Sequence, residues 1–229
     1  VCIVNKQVDV VDDSCIVVVN DTLQCLQKLA QYKRSKLDIP VVAITGSVGK
    51  TSTKDMIASV VASCYRVHKT EGNYNNHIGV PLTILSYKDE DVLLVERGMN
   101  HLGEISLLSS IAMPTISVIT NVGTAHIGNL GSRENILKAK LEILEGMKGK
   151  DVIINKDNDM LSSVENLLRR DYFVRTVSID SDSDYRAVSI VEDVFLSRFD
   201  IRDCSQGVLV NVGGKVFVYN ALVAYAVGS

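Results

Sequence analysis

The sequence contains no tryptophan, and aromatic residues make up only 5% of its 229 residues. Its formal net charge is −3 at pH 7, and its basic residues form no stripe. Proteins that bind nucleic acids rely on clustered lysine and arginine and on aromatic side chains that stack on bases. The composition therefore argues against a nucleic-acid partner.

Long hydrophobic runs are also missing. No apolar run approaches the ~20 residues that a membrane span needs, so we expect no membrane-spanning segment and no membrane partner. The cysteines are odd in number, scattered and without CxxC spacing: Cys2, Cys15, Cys25, Cys64 and Cys204. This usage is typical of reduced thiols, so we expect a cytoplasmic protein and assign a catalytic role to none of the cysteines.

What the sequence does have is a large apolar fraction, 46%, arranged in short runs. The predicted strands are Val41–Ile44, Val92–Val95, Ile116–Ile119, Val152–Ile154 and Tyr172–Val177. The predicted helices between and after them are Thr51–Cys64, Gly103–Ile111, Glu134–Met147 and Leu161–Arg169. Strands that are apolar throughout and alternate with helices predict an α/β fold with a doubly wound, mostly parallel sheet.

The two ends of the chain depart from this alternation. The predicted N-terminal elements are a strand at Cys15–Val19, a helix from Asp21 to about Tyr32 and a charged connector at Arg34–Asp38. After Ser178 a polar turn leads into strands of alternating pattern up to Val212, so we expect a small β-rich extension, followed by a helix from about Phe217. The chain opens at Val1 rather than methionine and stops at Ser229, and we expect it to be a fragment of a longer protein.

The strand at Val41–Ile44 runs directly into a glycine-bracketed turn and then into helix-forming sequence. The turn reads Thr45-Gly46-Ser47-Val48-Gly49-Lys50-Thr51-Ser52. In a strand–loop–helix unit of this kind, backbone N–H groups converge on phosphate oxygens, and the helix N-terminus adds positive charge. Lys50 would reach the terminal phosphates of a nucleoside triphosphate, and the Thr51 hydroxyl would bind magnesium.

The spacing of this loop departs from the common P-loop motif. That motif, GxxxxGK[ST], would need a glycine at Ile44, whereas the first glycine here is Gly46. The competing interpretation is a glycine turn before a helix with a solvated lysine. It requires the buried strand, both glycines and the Lys-Thr pair to coincide by chance, so we predict that the chain binds a nucleoside triphosphate.

Two further strand ends carry polar side chains, and ligands gather at the carboxyl ends of strands in such sheets. Glu96 directly follows the strand Val92–Val95, like the acid of the second magnesium-binding motif of nucleotide hydrolases. The alternative is a strand-end glutamate in a surface turn. The strand at Ile116–Ile119 leads through Thr120 and Asn121 to His126, and a lone histidine is as easily a surface or core residue as a ligand.

Lys140 lies in an unusual position on the predicted helix Glu134–Met147. At 3.6 residues per turn the apolar face comprises Ile136, Leu137, Leu141, Ile143 and Leu144, and the polar face Lys138, Glu142 and Glu145. Lys140 falls in the middle of the apolar face, where an ammonium group is costly unless it pairs, loses its proton or is modified. A neutral buried amine can react with carbon dioxide to give a carbamate that binds metal as a carboxylate does. The alternative is a lysine that pairs with a buried acid or snorkels past Leu144, and the residues alone favour it.

An amide-rich turn precedes another apolar helix and reads Gly72-Asn73-Tyr74-Asn75-Asn76-His77-Ile78-Gly79-Val80-Pro81. Amide groups can orient phosphate or carboxylate oxygens without adding charge. Asparagine and glycine also simply form turns, so this segment alone does not decide between the two interpretations.

These motifs together resemble those of the Mur ligases, the ATP-dependent amide-forming enzymes of peptidoglycan synthesis. The matching segments, in family order, are Thr45–Ser52, Gly72–Thr83, Glu96–Ile105, Asn121–His126, and Gly131–Glu134 leading to Ala139–Glu142. The asparagine-rich segment and the Gly-Met-Asn-His run are similar to the subgroup that adds D-alanyl-D-alanine to UDP-N-acetylmuramoyl-tripeptide. The resemblance covers about Val41 to Glu142.

The resemblance implies two cofactors, ATP and Mg²⁺, with two magnesium sites. Lys50 and Thr51 would hold the ATP phosphates and one Mg²⁺ ion, which Glu96 would also bind. His126 and a carbamylated Lys140 would serve a second metal near the substrate carboxylate. This hypothesis requires Lys50, Glu96, His126 and Lys140 to converge around one cavity.

The resemblance further implies that Asn76, together with Asn75, lines the phosphate site and that Asn220 contacts adenine. The family has His-Asn or His-Phe where this chain has Val216-Phe217, which weakens the adenine assignment. Residues 1–38 match the tail of the family's UDP-substrate domain and its linker, and residues 39–229 match its central ATP-binding domain. The family's C-terminal ligase domain has no counterpart in this sequence.

The implied reaction is ordered. ATP phosphorylates the peptide carboxylate to an acyl phosphate, and the D-alanyl-D-alanine amine then attacks the carbonyl with loss of phosphate. The protein mainly positions the reactants and neutralises charge. Two alternatives stay open: another member of the superfamily, such as a sister Mur ligase or a folylpolyglutamate synthase, or a nucleotide-binding module without turnover. We expect a monomer with small-molecule partners, and we expect this chain to bind ATP weakly without ligating.

Overall fold

The computed structural model describes residues 1–8 and 15–229. Its strands are β1 (Cys2–Val4), β2 (Ile16–Val18), β3 (Val41–Thr45), β4 (Val67–Lys69), β5 (Val92–Glu96), β6 (Ile116–Ile119), β7 (Asp151–Asn155), β8 (Phe173–Ser178), β9 (Tyr185–Asp193), β10 (Leu196–Ile201) and β11 (Ser205–Val210). Its helices are α1 (Thr22–Ser35), α2 (Lys50–Val61), α3 (Gly79–Ser86), α4 (Glu104–Ala112), α5 (Ile127–Leu130), α6 (Arg133–Leu141), α7 (Asp159–Leu168) and α8 (Lys215–Gly228), with a 3₁₀ turn at Glu142–Leu144 after α6.

One nine-stranded sheet organises the chain, in the order β11-β10-β9-β8-β7-β6-β3-β5-β4. The strand pairs from β4 to β9 are parallel, whereas β9, β10 and β11 pair antiparallel. The predicted doubly wound, mostly parallel α/β fold is therefore confirmed. The β-rich extension is confirmed as well, and it continues the same sheet because β9 pairs with β8. Strands β1 and β2 form a separate parallel pair.

Helices cover both faces of this sheet, which explains why its central strands are apolar throughout. Val42 and Ile44 of β3 point to the face covered by α2 and α8. Val41 and Ala43 point to the other face, against α1, α3, α4, α6 and α7. A strand with a helix on either side buries every side chain, so its sequence shows a continuous run instead of alternation.

The charged connector predicted at Arg34–Asp38 is wrong. Helix α1 continues to Ser35, and Arg34 is only 1% exposed. Its guanidinium donates hydrogen bonds to the backbone oxygens of Ala112 (2.8 Å), Met113 (2.9 Å) and Leu37 (2.7 Å). Carbonyl oxygens at the end of α4 thus accept hydrogen bonds from the buried Arg34 guanidinium. The local sequence could not predict this contact, because the acceptors are about 78 residues away along the chain.

The single helix predicted at Glu134–Met147 is also corrected. Helix α6 ends at Leu141 and gives way to the 3₁₀ turn. This tightening turns Glu142 inward, so its assignment to a polar face is wrong. Its carboxylate accepts hydrogen bonds from the backbone N–H groups of Gly103 (2.7 Å) and Ser106 (3.2 Å), at the exposed start of α4. Such N–H groups lack partners within the helix, so the carboxylate stabilises the start of α4.

The sequence analysis did not predict two three-residue strands, β1 and the edge strand β4.

All five cysteines carry free thiols. None of the helices in the described ranges combines the length and the apolarity that crossing a membrane would take. The region assigned to residues 1–38 includes residues 9–14, which lie outside the described residues, and its division from residues 39–229 stays a prediction.

Candidate active site

Four neighbouring strands end at the same edge of the sheet and bring the candidate residues there. In spatial order these strands are β5, β3, β6 and β7. Glu96 ends β5, Thr45 ends β3 and opens the phosphate loop, Asn121 follows β6, and Asn155 ends β7. Parallel strands place their carboxyl ends together, so residues far apart in sequence meet at one edge.

The phosphate loop (residues 45–52) needs its two glycines for different reasons. A Cβ atom on Gly46 would lie 1.9 Å from Oγ1 of Thr120, so no side chain fits there. Gly49 has a φ of 78°, a left-handed conformation that glycine adopts readily, and α2 begins at the next residue. The Lys50 ammonium donates a hydrogen bond to the backbone oxygen of Gly46 at 2.9 Å. Burial lowers the pKa of Lys50, although Glu96 acts in the opposite direction.

Asn121 supports the loop from the neighbouring strand, a role that the sequence analysis missed. Its Oδ1 accepts hydrogen bonds from the backbone N–H groups of Ser47 and Val48, both at 3.1 Å. Its Nδ2 donates to the backbone oxygen of Val48 at 2.9 Å and to Oγ1 of Thr120 at 3.2 Å. The signal available in the sequence was an asparagine close behind a buried strand that adjoins the loop strand.

Glu96 is 1% exposed and lies at the centre of a polar network, so its alternative placement in a surface turn is wrong. Oε2 accepts a hydrogen bond from Oγ1 of Thr51 at 2.9 Å, and Oε1 accepts one from Nδ2 of Asn75 at 2.8 Å. The buried Lys54 ammonium forms a salt bridge with Oε2 at 3.4 Å. Lys54 was not predicted, although it follows Lys50 by one helical turn.

Lys140 is 1% exposed, so it does not snorkel to solvent. Burial, together with repulsion from the nearby Lys50 cation, lowers the pKa of Lys140 to about 7. No salt bridge to Lys140 is present in the described part of the chain, so the predicted alternative of a lysine paired with an acid is not observed. A substantial fraction of its amine is therefore neutral at neutral pH.

His126 is exposed and has a left-handed backbone, with a φ of 66° at the start of α5. Its pKa is lowered by partial burial and by the nearby cations of Lys140 and Lys50. A neutral imidazole is the form that binds metals. The pKa shifts link Lys50 to Glu96, Lys140 to Lys50, and His126 to both lysines. Of these four residues only Lys50 and His126 line a common cavity, so the convergence of all four around one cavity stays a prediction.

Two clefts flank the phosphate loop. The first cleft, of about 410 Å³, is lined by Lys50, Asn75, Asn76, Glu104 and His126 among others. The second cleft, of about 340 Å³, adjoins Val48 and Gly49 on the side of β6, β7 and α8. The loop thus has a polar cleft that could hold an anionic substrate on one side and a more apolar cleft on the other.

The remaining predicted residues are positioned as follows. Oδ1 of Asn76 accepts hydrogen bonds from the backbone N–H groups of Ile78 (3.0 Å) and Gly79 (2.9 Å), at the start of α3. Asn220, predicted to contact adenine, is only 4% exposed. Its Oδ1 accepts from Oγ1 of Thr53 at 2.8 Å, and its Nδ2 donates to Oγ of Ser52 at 3.0 Å. Asn220 therefore ties α8 to the first turn of α2.

Arg97, next to Glu96, is fully buried, and none of its side-chain nitrogens finds a hydrogen-bond partner among the described residues. Burial lowers its pKa to about 9. Residues 1–8 and 15–229 contain no group of three His, Cys, Asp or Glu side chains arranged to hold a metal ion. A site at Glu96 therefore differs from a metal centre built on three such side chains.

A family model for the Mur ligase middle domain matches residues 44–228. The chain belongs to the Mur ligase family. It is 40% identical to UDP-N-acetylmuramoyl-tripeptide–D-alanyl-D-alanine ligase of Bacillus subtilis, over 95% of this chain and 47% of that protein. The resemblance inferred from the motifs is therefore confirmed, and the chain spans about half the length of the curated relatives it matches.

Solved structures of Mur ligases agree with this assignment. MurF from Acinetobacter baumannii superposes with a TM-score of 0.89 at 31% identity, covering 98% of this chain and 50% of that one. MurF ligase from Thermotoga maritima in complex with ADP superposes with a TM-score of 0.85 at 27% identity, covering 98% and 52%. The nine-stranded sheet and its helices are thus the Mur ligase middle-domain fold.

Proposed function

We propose that this chain forms the ATP-binding part of an amide ligase of peptidoglycan precursor synthesis. The ligase would add D-alanyl-D-alanine to UDP-N-acetylmuramoyl-tripeptide. The observation that carries the proposal is the 2.9 Å contact between Oγ1 of Thr51 and Oε2 of Glu96 beside the phosphate loop. A hydroxyl and a carboxylate at this position are the pair that holds Mg²⁺ on nucleotide phosphates in P-loop enzymes. The name of the Bacillus subtilis relative supports the same substrates.

ATP would bind with its phosphates on the loop and its base in the second cleft. The backbone N–H groups of residues 49–51, at the start of α2, and the Lys50 ammonium would contact phosphate oxygens, while Asn121 holds the N–H groups of Ser47 and Val48. The ADP bound to the Thermotoga maritima relative supports nucleotide binding. We assign Asn220 chiefly to holding α8 against α2, because Ser52 and Thr53 already engage its amide.

The donor set at Glu96 fits magnesium. Mg²⁺ usually keeps several waters and takes one or two protein ligands plus phosphate oxygens, so Thr51 and Glu96 suffice without a cluster of three acids. When bound, the ion would neutralise phosphate charge. The Asn75 amide and the Lys54 ammonium would hold the Glu96 carboxylate in place.

Lys140 fits carbamylation because its amine is buried, has a pKa of about 7 and pairs with no acid in the described residues. The neutral Nζ would attack the carbon of CO₂, forming an N–C bond and releasing a proton. The carbamate anion would lie near the Lys50 cation and, with the neutral His126 imidazole, supply ligands for a second Mg²⁺ ion.

The tripeptide carboxylate would enter the first cleft, where Lys50, Asn76 and His126 surround it with donors. One carboxylate oxygen would attack the γ-phosphorus of ATP, forming the acyl phosphate and releasing ADP. The dipeptide amine would then attack the carbonyl carbon, and the C–O bond to phosphate would break. The chain's contribution is positioning and neutralising charge at the two reacting anions.

Calorimetric titration with Mg·ADP tests the proposal. We expect binding by the wild-type chain and at least a tenfold loss in Glu96→Gln in magnesium, with a smaller loss in EDTA. Asp89→Asn, at an exposed carboxylate, is the control. Absence of Mg·ADP binding would overturn the proposal, as would equal affinity of Glu96→Gln and wild type.

Ligation can be followed with both peptide substrates by mass spectrometry. Because the matched relatives are about twice as long, we expect this chain to bind nucleotide without forming product. Product formation by the 229-residue chain would contradict that expectation. A monomeric state and a cytoplasmic location belong to the same proposal, and sedimentation and fractionation of the protein in cells would check them.

A further inference from the structure

The second cleft has the chemical character of a nucleobase pocket. Five valines contribute to its walls: Val48, Val122, Val177, Val216 and Val223. Four asparagines, at positions 121, 155, 158 and 220, contribute polar groups. A purine has two apolar faces and an edge of hydrogen-bonding atoms, so apolar walls provide packing and the amides are the candidates for reading the edge.

Most of these amides are already engaged within the protein. Asn121 uses both its oxygen and its nitrogen on the phosphate loop and on Thr120. Asn220 is engaged by α2. Oδ1 of Asn158 accepts from the backbone N–H of Leu161 at 3.2 Å, and its Nδ2 donates to the backbone oxygen of Val122 at 3.2 Å. Asn121 thus uses its full hydrogen-bonding capacity, whereas Asn158 and Asn220 each keep one N–H and one lone pair, in orientations that their protein partners fix.

Asn155 differs from the other three. Its Oδ1 accepts a hydrogen bond from the backbone N–H of Asp157 at 3.0 Å, which fixes the orientation of the amide. Its Nδ2 donates to no atom within residues 1–8 and 15–229. Asn155 ends β7 at the edge of the sheet where ligands bind, and it lines the second cleft.

Hydrogen bonds of Asp157, two residues after Asn155, fix the structure beside this amide. Asp157 accepts hydrogen bonds from the backbone N–H groups of residues 179–181 and from the Tyr219 hydroxyl at 2.7 Å. This carboxylate joins the end of β7 to the end of β8 and to α8. The Asn155 amide therefore lies next to a well-anchored part of the fold, and it is preorganised to bind a ligand.

We propose that Nδ2 of Asn155 donates a hydrogen bond to a ring nitrogen of the adenine base, which makes Asn155 a base-reading residue of this site. The inference rests on the proposed nucleotide function. It adds a residue that the motif comparison did not indicate and reduces Asn220 to a positioning residue.

Asn155→Asp is the sharpest variant, because the carboxylate keeps the bond from Asp157 N–H but replaces the donor with an acceptor. We expect Mg·ADP affinity to fall about 5- to 20-fold, the scale of one lost hydrogen bond with an acceptor facing an acceptor. Affinity for Mg·tripolyphosphate, which has no base, should change less than twofold. Asn155→Ala should bind Mg·ADP about 3- to 10-fold more weakly than wild type and should bind Mg·tripolyphosphate with unchanged affinity. Asn166→Asp, at an exposed position of α7, is the matched control.

The outcomes separate the two proposals. If wild type binds neither ligand, the nucleotide function itself fails. If wild type binds ADP and both Asn155 variants bind it equally well, the base-reading role is wrong while the function stands. An equal loss for ADP and tripolyphosphate would also overturn the role, because Asn155 would then act through the loop. Circular dichroism and thermal unfolding identify any variant that fails to fold.

Discussion

Replacing Lys140 by methionine should make the protein more stable at neutral pH. Methionine keeps the length and apolar character of the stem and removes the amine. The pKa of Lys140 falls from 10.5 to about 7 on folding, so between these values the unfolded chain binds more protons and stability rises with pH. At ~1.4 kcal/mol per pKa unit, the buried amine costs about 4 kcal/mol at pH 7.

The assay is the free energy of unfolding by urea between pH 6.5 and 10.5, in EDTA and CO₂-free buffer. The free energy of unfolding of Lys140→Met should exceed that of wild type by about 4 kcal/mol at pH 7, and this difference should shrink towards zero near pH 10.5. Lys138→Met, at an exposed position of the same helix, should differ little from wild type at any pH. Adding bicarbonate at pH 8 should stabilise wild type and leave Lys140→Met unchanged.

A different result would refute the reasoning. If Lys140→Met is less stable than wild type by an amount that does not depend on pH, the ammonium has a favourable partner in the folded protein. A mass increase of about 44 Da, the mass of one added CO₂, would identify the carbamate directly if it is absent from Lys140→Met.

Three further predictions follow from other buried polar groups. Arg97→Met should raise the free energy of unfolding by about 2 kcal/mol, because the guanidinium has no partner among the described residues; a less stable variant in thermal melts would show that it has one. Asn121→Ala leaves loop N–H groups without their acceptor, and we expect about 2 kcal/mol lower stability and weaker Mg·ADP binding by calorimetry; unchanged ADP affinity would contradict this. Burial opposes ionisation of Asp157, but its hydrogen bonds outweigh burial and hold its pKa well below the usual range. That stability is present above pH ~4 and is lost as pH falls further, so Asp157→Asn should be about 2 kcal/mol less stable than wild type at pH 7 and approach it in acid melts.

The sequence predicted those parts of the fold in which local chemistry decides the structure. Runs of β-branched residues identified β3, β5 and β6, because strands covered on both faces bury every position. The phosphate loop was predictable because only glycine tolerates the contact at Gly46 and the backbone of Gly49. The three-residue strand β4 contains a histidine and a lysine, so too little local pattern exists to predict it.

Other features depend on partners that are distant along the chain. Arg34 looks like a surface residue until the carbonyl oxygens of α4, 78 residues away, are in place. In the sequence Asn121 was notable only for its place close behind a buried strand, and Lys54 was not notable at all, because the loop and Glu96 give them their contacts. The unusual position of Lys140 was visible in sequence, whereas the absence of an acid beside it needed the three-dimensional arrangement.

The hydrogen bonds that join α2 to α8 have a consequence for folding during synthesis. Thr53 and Asn220 are 167 residues apart, so a ribosome that adds ~5–20 residues per second delivers the second roughly 8 to 33 seconds after the first. Until then Ile57, Ala58 and Val61 of α2 lack the apolar residues of α8 that cover them. During that interval the apolar face of α2 is not covered by α8, so the nucleotide site is completed only after α8 has been synthesised.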